Sequence, residues 1–382
     1  MITAAFPPPL SLYVHYPWCV RKCPYCDFNS HEARQQTPDQ AYADALIADL
    51  EGALPLVWGK RVQSIFFGGG TPSLMDPDVL SDLLARIRML LPLAANVEIT
   101  LEANPGTVEA GRFAAFREAG VNRLSLGIQS FNEPHLKALG RIHDAAEAHR
   151  AVELALATVG NVNLDLMYAL PQQTMEQALQ DIRTAIGYAP THLSAYHLTL
   201  EPNTAFHHAP PPLPDDDTSA AMQEAIEAEL AASGYQHYET SAFAQPGKQC
   251  RHNRNYWEFG DYLGIGAGAH SKLTLPDRIM RQARTKHPAA YLKGITDGTH
   301  IESERTLTQE DLGFEFMMNA LRLTGGFEPD LFEARTGLPL SIIQPALDEA
   351  MSKGLLAQHP DKIAPTLQGQ RFLNELLQLF LT

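Results

Sequence analysis

An alternation through the first two thirds of this 382-residue chain limits its fold more than any other feature. Short apolar or β-branched runs occur at Ser11–His15, Gln63–Phe67, Val97–Glu102, Arg123–Ile128, Asn161–Leu166 and His192–Leu200. Between them lie amphipathic stretches at Pro38–Leu54, Asp76–Leu91, Glu109–Ala119, Ala145–Thr158 and Met175–Tyr188. Repeated βα units of this kind predict a parallel sheet with right-handed crossovers and an outer layer of helices. Six units, rather than eight, predict an α/β fold built on a partial (β/α)6 TIM-like barrel instead of a closed one.

The segment Pro210-Pro-Pro-Leu-Pro-Asp-Asp-Asp217 breaks the alternation and reads as a stiff surface connection. A helix is expected over Thr218–Ser233, capped by Asp217 or Thr218, and then a strand over Tyr235–Phe243. From Leu307 onward the pattern is three helices, a short hairpin at Leu355–Gln358 and Lys362–Pro365, and a last helix. That order predicts a smaller α+β C-terminal region with a winged-helix-like module.

Apolar residues make up 45% of the chain, enough for a sizeable core. The net charge of −15 argues against nucleic acid as a partner, and points the C-terminal module toward packing or protein contact. The start, MITAAFPPPLSLYVHYPW, has neither a basic stretch nor a long apolar run, so no targeting peptide is expected. No run of 18 apolar residues predicts a membrane span. Three of the four cysteines lie within eight positions. Such clustering indicates metal or redox chemistry in a reducing compartment, so a cytoplasmic protein is expected.

Those cysteines are Cys19, Cys23 and Cys26, in Pro17-Trp-Cys-Val-Arg-Lys-Cys-Pro-Tyr-Cys-Asp-Phe-Asn29. The loop directly follows the first strand, where α/β proteins place their sites. Three thiolates can hold three irons of a [4Fe-4S] cluster and leave the fourth iron open to the amine and carboxylate of a small molecule. Trp18, Tyr25 and Phe28 would shield it from solvent. The alternative is a zinc site with His15, His31 or Cys250 as fourth ligand, for which the spacing is poor.

Polar groups recur at the ends of the later strands. Phe66-Phe-Gly-Gly-Gly-Thr-Pro72 follows the second; its glycines would let the backbone approach a ligand and offer amide donors. Glu102 ends the third strand and Gln129 the fourth, and Arg141 lies in the loop before the next helix. Taken singly, these read as a helix cap, a turn residue and a solvated charge. Asp165 lies inside an apolar strand, where a carboxylate needs a partner.

Cys-x3-Cys-x2-Cys followed by these residues in this order resembles the radical S-adenosylmethionine (SAM) superfamily. The resemblance implies that Tyr13 and Tyr25 pack near SAM and cluster, and that Gly69, Gly70 and Thr71 face the methionyl part. It implies that Glu102, Gln129 and Asp165 serve the sugar or its surroundings, and that Arg141 binds the SAM carboxylate.

Glu102-Ala-Asn-Pro-Gly, Asn163-Leu-Asp-Leu-Met-Tyr-Ala-Leu-Pro171 and His252-Asn-Arg-Asn-Tyr-Trp257 narrow the resemblance to the group related to oxygen-independent coproporphyrinogen III oxidase. That enzyme, a dehydrogenase, has a further cysteine two residues after the third, where this chain has Phe28, and a longer N-terminal extension than the 18 residues before Cys19. The chain is more similar to the haem chaperones of the group. This implies SAM, cluster and haem binding, delivery of haem to haem proteins such as respiratory enzymes, and no porphyrinogen oxidase activity. Peripheral membrane association and a homodimer remain open. The alternative is the decarboxylating enzyme itself.

On this reading residues 1–240 form the radical SAM core, 241–305 a linking segment carrying the His-Asn-x-x-Tyr-Trp motif, and 306–382 the C-terminal winged-helix-like domain. Imidazole is a natural axial ligand for haem iron, which makes His252 the leading candidate, with Tyr256 and Trp257 covering the porphyrin. His207, His208, His270 and Cys250 are weaker candidates. A structural His-Asn turn with core aromatics is the other reading of the motif.

Overall fold

A computed structural model describes residues 7–33, 37–107, 110–359 and 361–381. Met1–Phe6, at the start of the N-terminal stretch, and Glu109, the expected first residue of the third helix, lie outside the described residues. The expected strands form a continuous parallel run: Leu10–Tyr16, Val62–Gly69, Leu93–Ala103, Arg123–Gln129, Val162–Tyr168 and His192–His197. Helices Asp39–Ala53, Pro77–Leu90, Ala110–Ala119, Ala145–Thr158 and Met175–Gly187 follow the strands and cover the outer face.

The strands divide their side chains by a period of two. Leu124, Leu126 and Ile128, with Val162, Leu164 and Leu166, point into the core under the helices. Arg123, Ser125, Gly127 and Gln129, with Asn163 and Asp165, face a cavity on the other side. The helices start where their caps dictate. Asp144 and Thr174 each form a capping box with the third residue of their helix.

The partial barrel is as expected, two finer expectations are corrected, and the sheet extends beyond the six expected strands. Asp261–Ile265 lies parallel to Leu10–Tyr16 on its other side, and His270–Thr274, Ile279–Arg284 and Ile301–Thr306 continue it antiparallel. The expected strand Tyr235–Phe243 is a hairpin, Gln236–Glu239 and Ala242–Ala244, turned at Thr240 and Ser241. The helix expected at Thr218 begins at Asp216 and is capped by Asp215, whose carboxylate accepts from Thr218 N at 2.7 Å. This leaves Asp216 and Asp217 in the first turn, where the helix dipole favours them.

The C-terminal region runs through helices Gln309–Ala320, Pro329–Thr336 and Gln344–Ser352, the hairpin Leu356–His359 and Lys362–Pro365, and two short helices. Its core, around Phe316, Phe332, Leu347 and Ile363, also takes in Phe259 and Ile279 from the sheet side. Arg281 clamps Glu315 at 2.6 Å, and Arg371 grips both carboxylate oxygens of Glu227 at 2.8 and 2.9 Å. No described helix is long and apolar enough to cross a membrane.

One buried carboxylate joins the barrel to the sheet extension. Asp49, on the first helix, accepts from Arg284 at 3.1 Å, Tyr291 at 2.9 Å and the Gly266 amide at 3.2 Å. Asp49 and Arg284 are both essentially fully buried. Asp49→Asn leaves a buried guanidinium without its counter-charge and is expected to cost about 3–5 kcal/mol of stability. A shift of the urea or thermal unfolding midpoint checks this; an unshifted midpoint contradicts it.

Candidate functional site

The cysteine loop is held at both ends before any metal is considered. Trp18–Cys19 pairs with His31–Glu32, and His31 N and Ala33 N donate to the carbonyls of Pro17 and Cys19. Asn29 Nδ2 donates to the carbonyls of Ala267 at 3.0 Å and Lys286 at 2.9 Å, tying the loop to the sheet extension. All three cysteines are partly exposed and line one cavity of about 990 Å³. Among the described residues no three His, Cys, Asp or Glu side chains converge on a single metal ion. Three thiols on one cavity wall are the donor set that a [4Fe-4S] cluster with one open iron takes.

The expected apolar shield is only partly there. Tyr25 lines the cavity and packs with Leu139, Met167 and Leu198. Trp18 turns the other way and stacks edge-on against Tyr42 in the core. Phe28 lines the cavity mouth but is 61% exposed. A ring so placed offers contact to an incoming molecule rather than insulation.

The glycine stretch also differs from expectation. Its amides are already engaged: Gly70 N donates to Tyr16 O at 2.7 Å and Gly69 N to Glu102 Oε2 at 3.1 Å. The glycines are needed for close approach. A Cβ on Gly69, at φ +116°, would meet the His15 ring at 2.6 Å, and one on Gly70 would meet Trp18 O at 2.4 Å.

Tyr13, Gly69, Gly70, Thr71, Glu102, Gln129, Arg141 and Asp165 all line the cavity with the cysteines. Gln129 has φ +67°, a left-handed conformation that costs energy for a side-chain-bearing residue and often marks a working site. Arg141 donates to Gly127 O at 2.8 Å, to Asn104 Oδ1 and to Cys23 Sγ at 3.4 Å, which sets its guanidinium beside the cysteine loop. Asp165 finds the partners its burial requires in Ser125 Oγ at 3.0 Å and Asn163 Nδ2 at 2.8 Å. Burial, and then the Asp165 charge, push Glu102 up to about 8.

The His-Asn-x-x-Tyr-Trp motif forms a short helix, Arg251–Trp257, rather than a turn. Asn255 anchors it by donating to Ser11 Oγ at 2.9 Å and Asp261 O at 2.8 Å. The His252 ring stacks on Phe66 at 4.8 Å, meets Tyr256 edge-on and is 3% exposed. Its Nδ1 lies 3.2 Å from Ser64 Oγ, while its Nε2 has no partner. His252, Tyr256 and Trp257 line the same cavity as the cysteines. Burial, with the Arg123 charge adding to it, lowers His252 to about 3, so the ring is a neutral base.

The other expected ligands lie elsewhere. His207 and His208 sit in the small helix Ala205–His208 and line neither described cavity. His270 lines a neighbouring cavity of about 670 Å³ with His15 and His31. Cys250 is fully buried, with its thiol 3.7 Å from Glu98. Sequence reasoning missed Arg123, Ser125, Asn163, His192 and Tyr196, which also face the main cavity. For Arg123, Ser125 and Asn163 the signal was a polar residue at every second place in an apolar strand. Arg322, brought in from the C-terminal region, left none.

A model of the radical SAM superfamily matches residues 13–185, and one of the HemN C-terminal domain matches residues 307–372. The Escherichia coli protein named Heme chaperone HemW is 52% identical over 98% of this chain and 98% of its own length. The chain belongs to the HemW family of radical SAM proteins. A HemW relative from Bacillus subtilis is 33% identical over 97% of this chain and 99% of its own. A mouse protein, Radical S-adenosyl methionine domain-containing protein 1, mitochondrial, is 40% identical over 75% of this chain and 66% of its own. The HemW fold seen here resembles coproporphyrinogen III oxidase (HemN) from Escherichia coli, a radical SAM enzyme, with a TM-score of 0.83. The identity is 25%, covering 100% of this chain and 92% of that one. Membership of the superfamily implies SAM and a [4Fe-4S] cluster, and the three thiols on the cavity wall fit them.

Glu102 gives this site a measurable pH signature. The folded protein keeps its proton to about pH 8, while an unfolded chain releases it near 4.5. Stability of the ligand-free protein therefore falls as pH rises through that window. Glu102→Gln should flatten that fall in denaturation midpoints measured from pH 5 to 8; an identical slope in both proteins contradicts the assignment.

Proposed function

We propose that this chain binds haem at His252, beneath a cluster and SAM held by its cysteine loop, and passes the haem to haem proteins. The observation that carries the reading is His252 Nε2: a buried, neutral imidazole nitrogen without a hydrogen-bond partner, in the wall of the main cavity. An unprotonated ring nitrogen is the form that ligates iron. With Nδ1–H donating to Ser64 Oγ, Nε2 would be the unprotonated nitrogen, as in metal-ligating histidines generally. Tyr256 and Trp257 would cover porphyrin surface beside it. The name Heme chaperone on full-length relatives supports the reading.

In this proposal Cys19, Cys23 and Cys26 hold the cluster and Arg141 takes the SAM carboxylate. The carbonyls of Gly69 and Gly70, with Thr71, meet the methionyl group. Glu102, Gln129 and Asp165 serve the sugar or its surroundings, and Tyr13 and Tyr25 pack near SAM and the cluster. The cluster would supply an electron and an open iron corner; the chain's own residues bind, orient and exclude water. Recipients include respiratory haem proteins, met in the cytoplasm or at a membrane surface, and the chaperone acts without porphyrinogen oxidation.

The second reading is a radical SAM decarboxylase of the coproporphyrinogen III type, favoured by the fold match over the whole chain. Phe28, at the place of that enzyme's further cysteine, weighs against it.

Anaerobic spectroscopy with haem titration separates the two. Wild type should carry about four irons per chain and bind haem stoichiometrically without producing protoporphyrinogen. Replacing the three cysteines by serine should abolish the iron. His252→Ala should weaken haem binding at least about ten-fold, a loss of about 1.4 kcal/mol. Because His252 stays neutral far below pH 6, haem affinity in wild type should hold level from pH 8 to 6. Robust porphyrinogen turnover, or haem binding indifferent to His252→Ala, would overturn the proposal.

A further inference from the structure

Among the described residues, five polar side-chain atoms on residues of the main cavity lack a hydrogen-bond partner: Arg123 Nε, Arg141 Nε, His252 Nε2, Trp257 Nε1 and Arg322 Nε. Buried polar atoms left unpaired in this way are costly, and they cluster where a ligand completes them. Arg141 and His252 already have roles in the reading above. Arg123 is 2% exposed and adds positive charge to the same wall. That leaves Trp257 and Arg322, which sit together.

Arg322 comes from the C-terminal region, in the turn after the helix Gln309–Ala320. Its guanidinium lies over the Trp257 ring at 4.4 Å. The arginine side chain is 34% exposed, so it is open to the cavity rather than sealed in the interface. The nearest counter-charge is a poor one. Glu239 lies 3.9 Å away, too far for a hydrogen bond, and burial pushes its carboxyl up. A guanidinium placed over an indole face can still present N–H groups to a ligand, and that fork matches a carboxylate. Trp257 Nε1–H is a second donor in the same place.

We propose that Arg322 and Trp257 form a carboxylate clasp in the main cavity, which takes a propionate of the tetrapyrrole whose iron His252 binds. The clasp rests on the haem reading and extends it. The metal is held from the barrel side and the acid group from the C-terminal region, so the ligand bridges the two. The ligand class is then a tetrapyrrole with free acid side chains, and its esters are discriminated against.

The test titrates cluster-loaded wild type, Arg322→Gln and Arg322→Lys with haem and with haem dimethyl ester, which keeps the iron and ring but has no carboxylate. Wild type should bind haem about ten-fold or more tighter than the ester, the range of a charge-assisted hydrogen bond. Arg322→Gln should bind both at the ester's level, and Arg322→Lys should fall between, with iron content and SAM binding unchanged in both variants. Equal affinity of wild type for acid and ester overturns the clasp, a result that needs no variant to fold. So does an Arg322→Gln protein that still separates the two ligands. Wild type that binds neither ligand overturns the haem reading itself, and the clasp with it.

Discussion

Everything in this molecule follows from a two-residue period imposed on parallel strands that are covered on one side only. A strand must bury alternate side chains under the helices, and those are leucines, isoleucines and valines. The intervening residues are freed from packing and can be chosen for chemistry. Arg123, Ser125, Gly127 and Gln129 on one strand, and Asn163 and Asp165 on the next, are six such choices on one wall. A closed barrel of eight would fill that interior with side chains. Here the parallel strands do not close on themselves, and the cavity lies on their uncovered face.

The open interior then sets an electrostatic problem. Glu102 and Asp165 are both buried, and the Asp165 charge adds to the burial that pushes Glu102 up. The chain answers with local dipoles: Ser125, Asn163 and the Gly69 amide donate to these carboxylates. The basic residues are placed differently. Arg141 is pinned by two oxygens next to the cysteine loop, and Arg141, Arg123 and Arg322 each keep an unpartnered Nε. Acids satisfied from within and cations satisfied only in part describe a site arranged for anionic groups of a ligand.

Much of this was legible in the sequence because it is local. The six strands and their helices follow from periodicity, and the cysteine loop from spacing alone. The residues at strand ends followed from position. What escaped was long-range or depended on a single choice among near-equals. Asp261–Ile265 is a short run holding a glycine, and only its pairing with Leu10–Tyr16, some 250 positions earlier, makes it a strand. The cap was expected at Asp217 or Thr218, but it is Asp215, which leaves Asp216 and Asp217 in the first turn where the helix dipole favours them. Trp18 looked like part of the cluster's shield, but the pairing of Trp18–Cys19 with His31–Glu32 leaves its ring on the Tyr42 side. Arg322 could not be read at all, since nothing nearby in the chain hints at a cavity contributed by distant strands.

The anchoring of the cysteine loop has a consequence for life with oxygen. In small zinc domains the metal is the fold's keystone, and its loss collapses the chain. Here Asn29 fastens the loop to carbonyls of the scaffold and the Trp18–His31 pairing closes it on itself, and none of these bonds uses a cysteine sulfur. Damage to an iron–sulfur centre would therefore empty a socket that keeps its shape, and a repair system need only reinsert a part rather than rebuild a protein.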